Sequence, residues 1–290
     1  MASPRTLVNG RPRDRVAVSD RGLHYGDGLF ETIAVRDRRP CLWRRHMDRL
    51  ALGCARLGIP PTDSGTLAAE MRDLLDDGAA ADGVLKLIVT RGSGPRGYAP
   101  PRDPRPTRIL SYQPGAFSTL SRGPFDRPSG ADAGVRLTLC ATRLGDNARL
   151  AGIKHLNRLE QVLARAEWSD PEVLEGVMCD AGGHAVCGTM SNLYVMDANG
   201  IATPPLTRCG VAGTVRGVVQ ECAAALGVPF RERELDLSDL YAADALMISN
   251  ALLGLVPVAR LLGHRYSAGA VPAALIDRVR ATALEPETDP

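Results

Sequence analysis

The sequence predicts an α/β protein in two regions joined by a linker. Three observations carry this. Aliphatic, β-branched runs such as Thr32–Val35, Gly83–Thr90 and Asp244–Ser249 alternate with stretches whose apolar residues recur at helical spacing. The stretch from Gln113 to Ala133 is rich in Gly, Pro and Ser and has no periodicity, as a linker would. The length, 290 residues, suits one large or two modest domains. The expected organisation is residues 1–113, a linker over 114–133, and residues 134–290.

In chain order, Thr6–Asn9 reads as a strand ending at the Asn9-Gly10 turn, and Val16–Ser19 as a second. Three glycines in Gly22-Leu23-His24-Tyr25-Gly26-Asp27-Gly28 suggest a tight backbone around His24 and Tyr25; a plain glycine-rich turn fits the spacing equally well. Met47, Leu50, Cys54 and Leu57 form the apolar stripe of a helix over Trp43–Leu57, with Arg49 beside it. Leu67–Leu75 is a further helix, and Arg108–Tyr112 a strand. In the second half, strands are expected at Val135–Ala141, Gly176–Cys179 and Leu193–Met196. Val215, Val218, Val219, Cys222 and Leu226 mark a helix ending at Gly227, and Val271–Leu284 a final helix before a frayed tail over Glu285–Pro290.

Composition narrows the function. A net charge of +2 with dispersed basic residues gives no nucleic-acid footprint. Seven scattered cysteines without a CxxC pair, and five dispersed histidines, argue against a metal site. The N-terminus lacks a signal-peptide core, and the apolar run Ala251–Ala259 is too short to span a bilayer, so a cytoplasmic protein without membrane attachment is expected. Gly92, Gly94 and Gly97 match GxGxxG, but a proline-rich run follows where a dinucleotide site needs a helix. The better reading is a loop presenting Arg91, Arg96 and Tyr98, whose guanidinium forks suit a carboxylate ligand.

Lysine usage points to the chemistry. Of 35 basic residues only Lys86 and Lys154 are lysine. Arginine can serve a solvated charge but cannot lose its proton and attack a carbonyl. Lys154 precedes Leu156, Leu159, Leu163 and Ala166, the stripe of an expected helix, and is the candidate for amine chemistry. Gly210-Val211-Ala212-Gly213-Thr214-Val215, opening the Val215 helix, reads as an anion cradle or as a Thr-capped helix that binds nothing.

These pieces resemble a known family. Ile153-Lys154-His155-Leu156-Asn157-Arg158-Leu159-Glu160-Gln161, Ser191-Asn192-Leu193-Tyr194 and Gly213-Thr214-Val215-Arg216 are similar to the class IV (fold-type IV) pyridoxal-phosphate enzymes. Lys86–Tyr98 and Arg143–Gln161 resemble the bacterial 4-amino-4-deoxychorismate lyases within it. The resemblance implies a small N-terminal α/β domain, a larger C-terminal α/β domain with a barrel-like sheet, a homodimer, and pyridoxal 5'-phosphate. It makes Lys154 the lysine that bonds the cofactor and Arg49 the grip on its phosphate. Gly213, Thr214 and Val215 would hold the same phosphate, with Asn250 and Ala251 in a second turn beside it. Thr32 would act in catalysis, with Tyr25, Arg91, Arg96 and Tyr98 facing the substrate. The family carries a glutamate against the pyridine nitrogen; the matching residue here is Cys187. The implied activity is release of pyruvate and 4-aminobenzoate from 4-amino-4-deoxychorismate. The rivals are an aminotransferase for D-amino or branched-chain acids and an inactive cofactor-binding homologue.

Overall fold

The computed structural model describes residues 5–76, 81–115 and 134–287. The chain divides into two compact units. One comprises Met1–Thr119, Ile153–Asn157 and Leu284–Pro290; the other comprises Leu120–Gly152 and Arg158–Ala283. The expected linker over 114–133 lies, but for its first two residues, outside the described residues. It departs from the expected boundaries at two places: the segment carrying Lys154 and the C-terminal tail both belong to the first unit.

The first unit opens with β1 (Arg5–Val8), β2 (Arg11–Pro12) and a five-residue helix α1 (Arg21–Tyr25). Val16–Ser19, expected as strand, is irregular, and the second strand comes earlier, at β2. Then follow β3 (Gly28–Arg36), β4 (Arg39–Pro40), α2 (Trp43–Leu57), α3 (Ser64–Asp76), β5 (Gly83–Thr90) and β6 (Thr107–Pro114). They form a six-stranded sheet in the order β2-β1-β6-β5-β3-β4. Its strands alternate as antiparallel strands with one covered face do: Leu29, Glu31, Ile33 and Val35 are buried, whereas Phe30 and Thr32 are half-open. The α2 stripe Trp43, His46, Met47, Leu50 and Cys54 is buried. The tail is not frayed at its start. Pro286 bridges Cys41, Glu287 N donates to Pro40 O at 3.0 Å, and the Glu287 carboxylate receives Arg44 N in the first turn of α2. An acid there favours the positive end of the helix dipole.

The second unit contains β7 (Val135–Leu139), α4 (Leu159–Arg165), β8 (Val173–Cys179), β9 (Ala185–Gly188), β10 (Asn192–Asp197) and β11 (Gly200–Thr203). It continues with α5 (Thr214–Ala225), β12 (Phe230–Glu232), α6 (Leu237–Ala242), β13 (Ala245–Asn250), β14 (Gly254–Leu261), β15 (His264–Arg265) and α7 (Ala273–Ala283). Strands β10, β13, β14, β7, β8 and β9 pair in sequence, and β9 pairs back onto β10, closing a six-stranded barrel. The closing bridge joins Cys187 to Asn192. Val177, Leu193, Val195, Leu246, Ile248 and Val256 lie in its apolar core.

The expected helix over 156–166 is shorter and differently turned. It starts at Leu159, and Leu159, Val162 and Leu163 are 76%, 60% and 60% exposed; only Ala164 is buried. The helical period was real, but the apolar stripe does not face the core of this chain.

Candidate active site

Lys154 is placed by backbone pairing rather than by a helix start. Phe30 N donates to Lys154 O at 3.0 Å, Leu156 N donates to Gly28 O at 3.0 Å, and Leu29 bridges His155. Ile153, one residue back, is fully buried. The approach is close enough to require glycine at position 28: a Cβ there would meet Leu156 Cδ1 at 2.8 Å and Val89 O at 2.6 Å. The Lys154 Nζ then lies 4.3 Å from the centroid of the Phe30 ring, a cation–π distance. Thr32 follows Phe30 on the same strand face.

Arg49 is built into a buried ion network. Its Nε donates to Glu31 Oε1 at 2.9 Å, its Nη2 donates to Glu31 Oε2, and His46 Nδ1 lies 2.6 Å from the same Oε2. Glu31 and His46 are each 1% exposed. Burial alone would raise the Glu31 pKa, but the Arg49 guanidinium and His46 overcome it and bring the carboxyl down to about 2. Burial holds His46 below its ordinary value, against Glu31, so it stays neutral and donates from Nδ1. Neither Glu31 nor His46 was singled out from the sequence. The signal was available: Glu31 occupies a core-facing place in an otherwise apolar alternation, and His46 lies one turn before Arg49 on the buried stripe.

The loop residues divide. Arg91, expected at the substrate, is buried; it donates to both oxygens of Asp27 and to the carbonyls of Leu57 and Gly58 at the end of α2. This is an architectural clamp, a correction to its expected role. Arg96 is exposed and Tyr98 is 85% exposed. Tyr25 and Tyr98 come together, ring centroids 5.3 Å apart, and Tyr25 Oη accepts from Gly97 N at 3.2 Å. Arg21, also missed, holds this loop: it donates to the carbonyls of Gly97, Tyr98 and Ala99 and to Asp27.

In the second unit the barrel closure sets another group of residues. Asn192 Nδ2 donates to Val211 O at 2.8 Å, and Asn192 Oδ1 accepts Gly213 N at 3.0 Å. A Cβ at Gly213 would fall 2.1 Å from that oxygen, so a larger residue would displace the Asn192 amide. No side chain among the described residues caps the helix. The Thr214 hydroxyl is buried and makes no hydrogen bond among the described residues. An uncapped helix start with a spare buried hydroxyl is a donor set for a phosphate. Asn250 Oδ1 accepts Leu252 N and Leu253 N, each at 2.9 Å, which shapes the turn that contains Ala251.

Cys187 is buried among Cys140, Met178 and Cys209, and burial pushes its thiol pKa well up, so it is neutral. Glu175, beside this closure, was also missed. It is fully buried and accepts from Gly176 N, Thr189 N and Oγ1, Met190 N and Ser191 Oγ. It fixes the loop that leads into Asn192.

In the first unit a lysine stands over an aromatic ring beside a clamped arginine, and in the second an uncapped helix start carries a spare hydroxyl; each suits a part of pyridoxal phosphate. Residues 28–261 match the amino-transferase class IV family, and the chain belongs to it; the family uses that cofactor. The solved 4-amino-4-deoxychorismate lyase of Pseudomonas aeruginosa is similar to this chain at 44% identity and a TM-score of 0.84, covering 95% of this chain and 98% of that one. The aminodeoxychorismate lyase of Vibrio harveyi is 36% identical over 87% of this chain and 89% of its own length. The D-alanine aminotransferase of Bacillus licheniformis is 28% identical over 97% and 96%.

Proposed function

We propose that this chain is a pyridoxal-phosphate-dependent lyase that converts 4-amino-4-deoxychorismate to 4-aminobenzoate and pyruvate. The likeness to the Pseudomonas aeruginosa lyase carries the reading, since it spans nearly the whole of both chains and exceeds the likeness to the aminotransferase.

Arg49 in the first unit suits a phosphate by its charge; in the second unit the Gly213, Thr214 and Val215 helix start, with the turn of Asn250 and Ala251, suits one by its free donors. The bound cofactor would supply an electron sink for the charge left on the substrate carbon. Lys154 takes the proton from the carbon that bears the amine. Its ammonium form is tolerated against the Phe30 ring, which lets the residue hold that proton while the C–O bond to the enolpyruvyl group breaks. The bonding electrons leave with that group, which gains a proton to become pyruvate, and the ring becomes aromatic. Thr32, on the Phe30 face, offers a hydroxyl to the reacting part of the substrate. Tyr25, Tyr98 and Arg96 line its outer end.

The working form is a homodimer, supported by the exposed Leu159, Val162 and Leu163 of α4. A reducing cytoplasm suits seven cysteines, all buried and free. No helix among the described residues is long and apolar enough to cross a membrane.

The test is incubation with 4-amino-4-deoxychorismate and no keto acid. Equal release of pyruvate and 4-aminobenzoate is expected. Turnover that requires a keto-acid acceptor would make the chain an aminotransferase instead.

A further inference from the structure

In the first unit, Asp27 holds two guanidiniums with one carboxylate. Arg91 Nε donates to Asp27 Oδ2 at 2.7 Å and Arg91 Nη2 to Oδ1 at 3.0 Å, while Arg21 Nε donates to Oδ2 at 2.8 Å. Burial works against the Asp27 charge, but hydrogen bonds from Arg91 and Arg21 outweigh it and hold the carboxyl below its usual value. The backbone locks the same place. Arg91 N donates to Asp27 O at 3.0 Å, Asp27 N to Arg21 O at 3.3 Å, and Arg21 N to Gly92 O at 2.9 Å.

The remaining donors of the two arginines reach different parts of the unit. Arg91 Nη1 donates to Gly58 O at 2.7 Å and Nη2 to Leu57 O at 2.8 Å, at the C-terminal end of α2, where a cation suits the helix dipole. Arg21 Nη1 donates to Gly97 O at 3.0 Å and Ala99 O at 3.3 Å, and Nη2 to Tyr98 O at 2.9 Å. Asp27 therefore stands midway on a continuous run of charge-assisted hydrogen bonds, from the helix that carries Arg49 to the loop that carries Arg96 and Tyr98.

Three successive carbonyls turned onto one guanidinium fix the backbone of 97–99. Gly97 completes the arrangement: its φ is +102°, in the region that favours glycine, and its N donates to Tyr25 Oη at 3.2 Å. Yet Tyr98, the side chain this backbone carries, is 85% exposed. Ordering a backbone costs entropy, and burial of the Tyr98 ring does not return it. An ordered backbone beneath an exposed aromatic is the arrangement of a preformed contact.

We infer that Arg21, seated on Asp27, is a positioning residue that presets the 97–99 loop, so that substrate binding does not have to order it. The inference rests on the reading above that this loop lines the outer end of the substrate, and deepens it by naming what holds the loop. The shape of arginine matters here. Its Nε takes the carboxylate while the two Nη groups span the carbonyls; a lysine keeps a charge against Asp27 but cannot do both.

The experiment reads loop and turnover separately. Limited trypsin digestion of the cofactor-loaded protein, followed by mass spectrometry, reports the loop through the Arg96–Gly97 bond. It reports global opening through the Arg49–Leu50 bond, whose arginine side chain is 11% exposed. Arg21→Lys and Arg21→Gln should each speed cleavage at Arg96 about tenfold and leave cleavage at Arg49 within about twofold. Asp27→Asn unseats the same arm and should match them at Arg96, and combining it with Arg21→Lys should add little. In turnover, KM should rise about tenfold with kcat within about twofold, because binding must now order the loop. Equal acceleration at both bonds would make Arg21 a residue of the fold alone and overturn the inference. So would unchanged cleavage at Arg96, an unchanged KM, a fall in kcat at constant KM, or an Arg21→Lys protein that behaves as wild type. The digestion does not use turnover. A wild-type protein that makes no 4-aminobenzoate would therefore refute the lyase reading while the two bonds still report on Arg21.

Discussion

Each unit of the molecule buries one glutamate on a sheet, and the two are satisfied in opposite ways. Glu31, on β3, faces a guanidinium and an imidazole. Glu175, on β8, faces backbone amides and hydroxyls, all neutral. A carboxylate saturated by neutral donors has nothing left to share, and its work is to fix the loop at 189–191. A carboxylate paired with arginine orients a charge that a ligand can also use. The same difference runs through the two candidate regions. The first unit offers charged side chains, Lys154 and Arg49; the second offers a helix start, an orphaned hydroxyl and a neutral thiol.

The largest effect should come from the charged region. Lys154→Ala should lower turnover by about 10⁴-fold or more, since both the proton transfer and the covalent link to the cofactor are lost. Borohydride should fix cofactor to the wild-type protein and not to this variant, read by mass spectrometry. If the variant is still labelled, Lys86 becomes the bonding lysine and the comparison loses its centre.

The next prediction separates the two glutamates. Glu31→Gln leaves the part-buried Arg49 without its counter-charge and should cost about 3–5 kcal/mol in denaturant unfolding. Glu175→Gln retains an acceptor but sets an amide against amides, and should cost about 1–3 kcal/mol. The pH dependence sharpens this. The Glu31 carboxyl, depressed to about 2, contributes stability above its unfolded value of about 4.3 that is lost as pH falls toward 2. His46, held below its ordinary value, adds a loss that begins nearer pH 6.5, because the unfolded chain takes the proton first. Glu31→Gln should remove the lower stage, about 3 kcal/mol. A Glu31→Gln profile parallel to wild type would show that the two carboxylates differ less than their partners suggest.

Smaller effects should appear at the phosphate groups, with different signs on stability. Arg49→Ala removes a charge-assisted contact, about 1.5–3 kcal/mol of cofactor affinity, and also destabilises the protein by stranding Glu31. Thr214→Val should weaken the cofactor by about 1 kcal/mol while leaving the cofactor-free protein as stable or slightly more so, because the buried hydroxyl has no partner to lose. Equilibrium titration and thermal melts with and without cofactor check both. A Thr214→Val protein destabilised without cofactor would show that the hydroxyl serves the fold.

Much of this was legible in the sequence wherever one local pattern governs. The α2 boundaries, the β5 strand and the rejection of a dinucleotide loop at Gly92 followed from period, β-branching and proline. The family motifs singled out Arg49 and Thr214. What escaped depends on partners distant in sequence. Arg91 resembles a ligand-binding arginine until Asp27 is seen 64 residues away. Glu175 reads as an ordinary strand residue until the 189–191 loop folds over it. The Leu159 and Leu163 stripe has a true helical period, but period alone does not say which surface a stripe meets. Lys154 precedes a helix in sequence, yet its position comes from pairing with β3.

The subtlest prediction concerns Cys187, where the second unit carries a neutral group and the family an acid. An acid against the pyridine nitrogen would keep it protonated and deepen the sink for the charge left on the substrate carbon after proton loss. Cys187 cannot do this: burial pushes its thiol far up, Glu175 adds to the shift, and Arg158 only partly opposes it. Transamination leans heavily on such a sink, because the charge must persist until a proton returns to a different atom. Elimination leans on it less, because the departing enolpyruvyl group carries the electrons away and aromatisation follows. The neutral thiol therefore tilts the chain toward elimination. Cys187→Glu should raise side transamination of D-alanine relative to 4-aminobenzoate formation by about tenfold, some 1.4 kcal/mol of differential barrier. It should do so at a cost in stability, since the new carboxyl enters an apolar cluster. Measuring both rates on one preparation removes that cost from the ratio. An unmoved ratio would mean that the position is electronically silent.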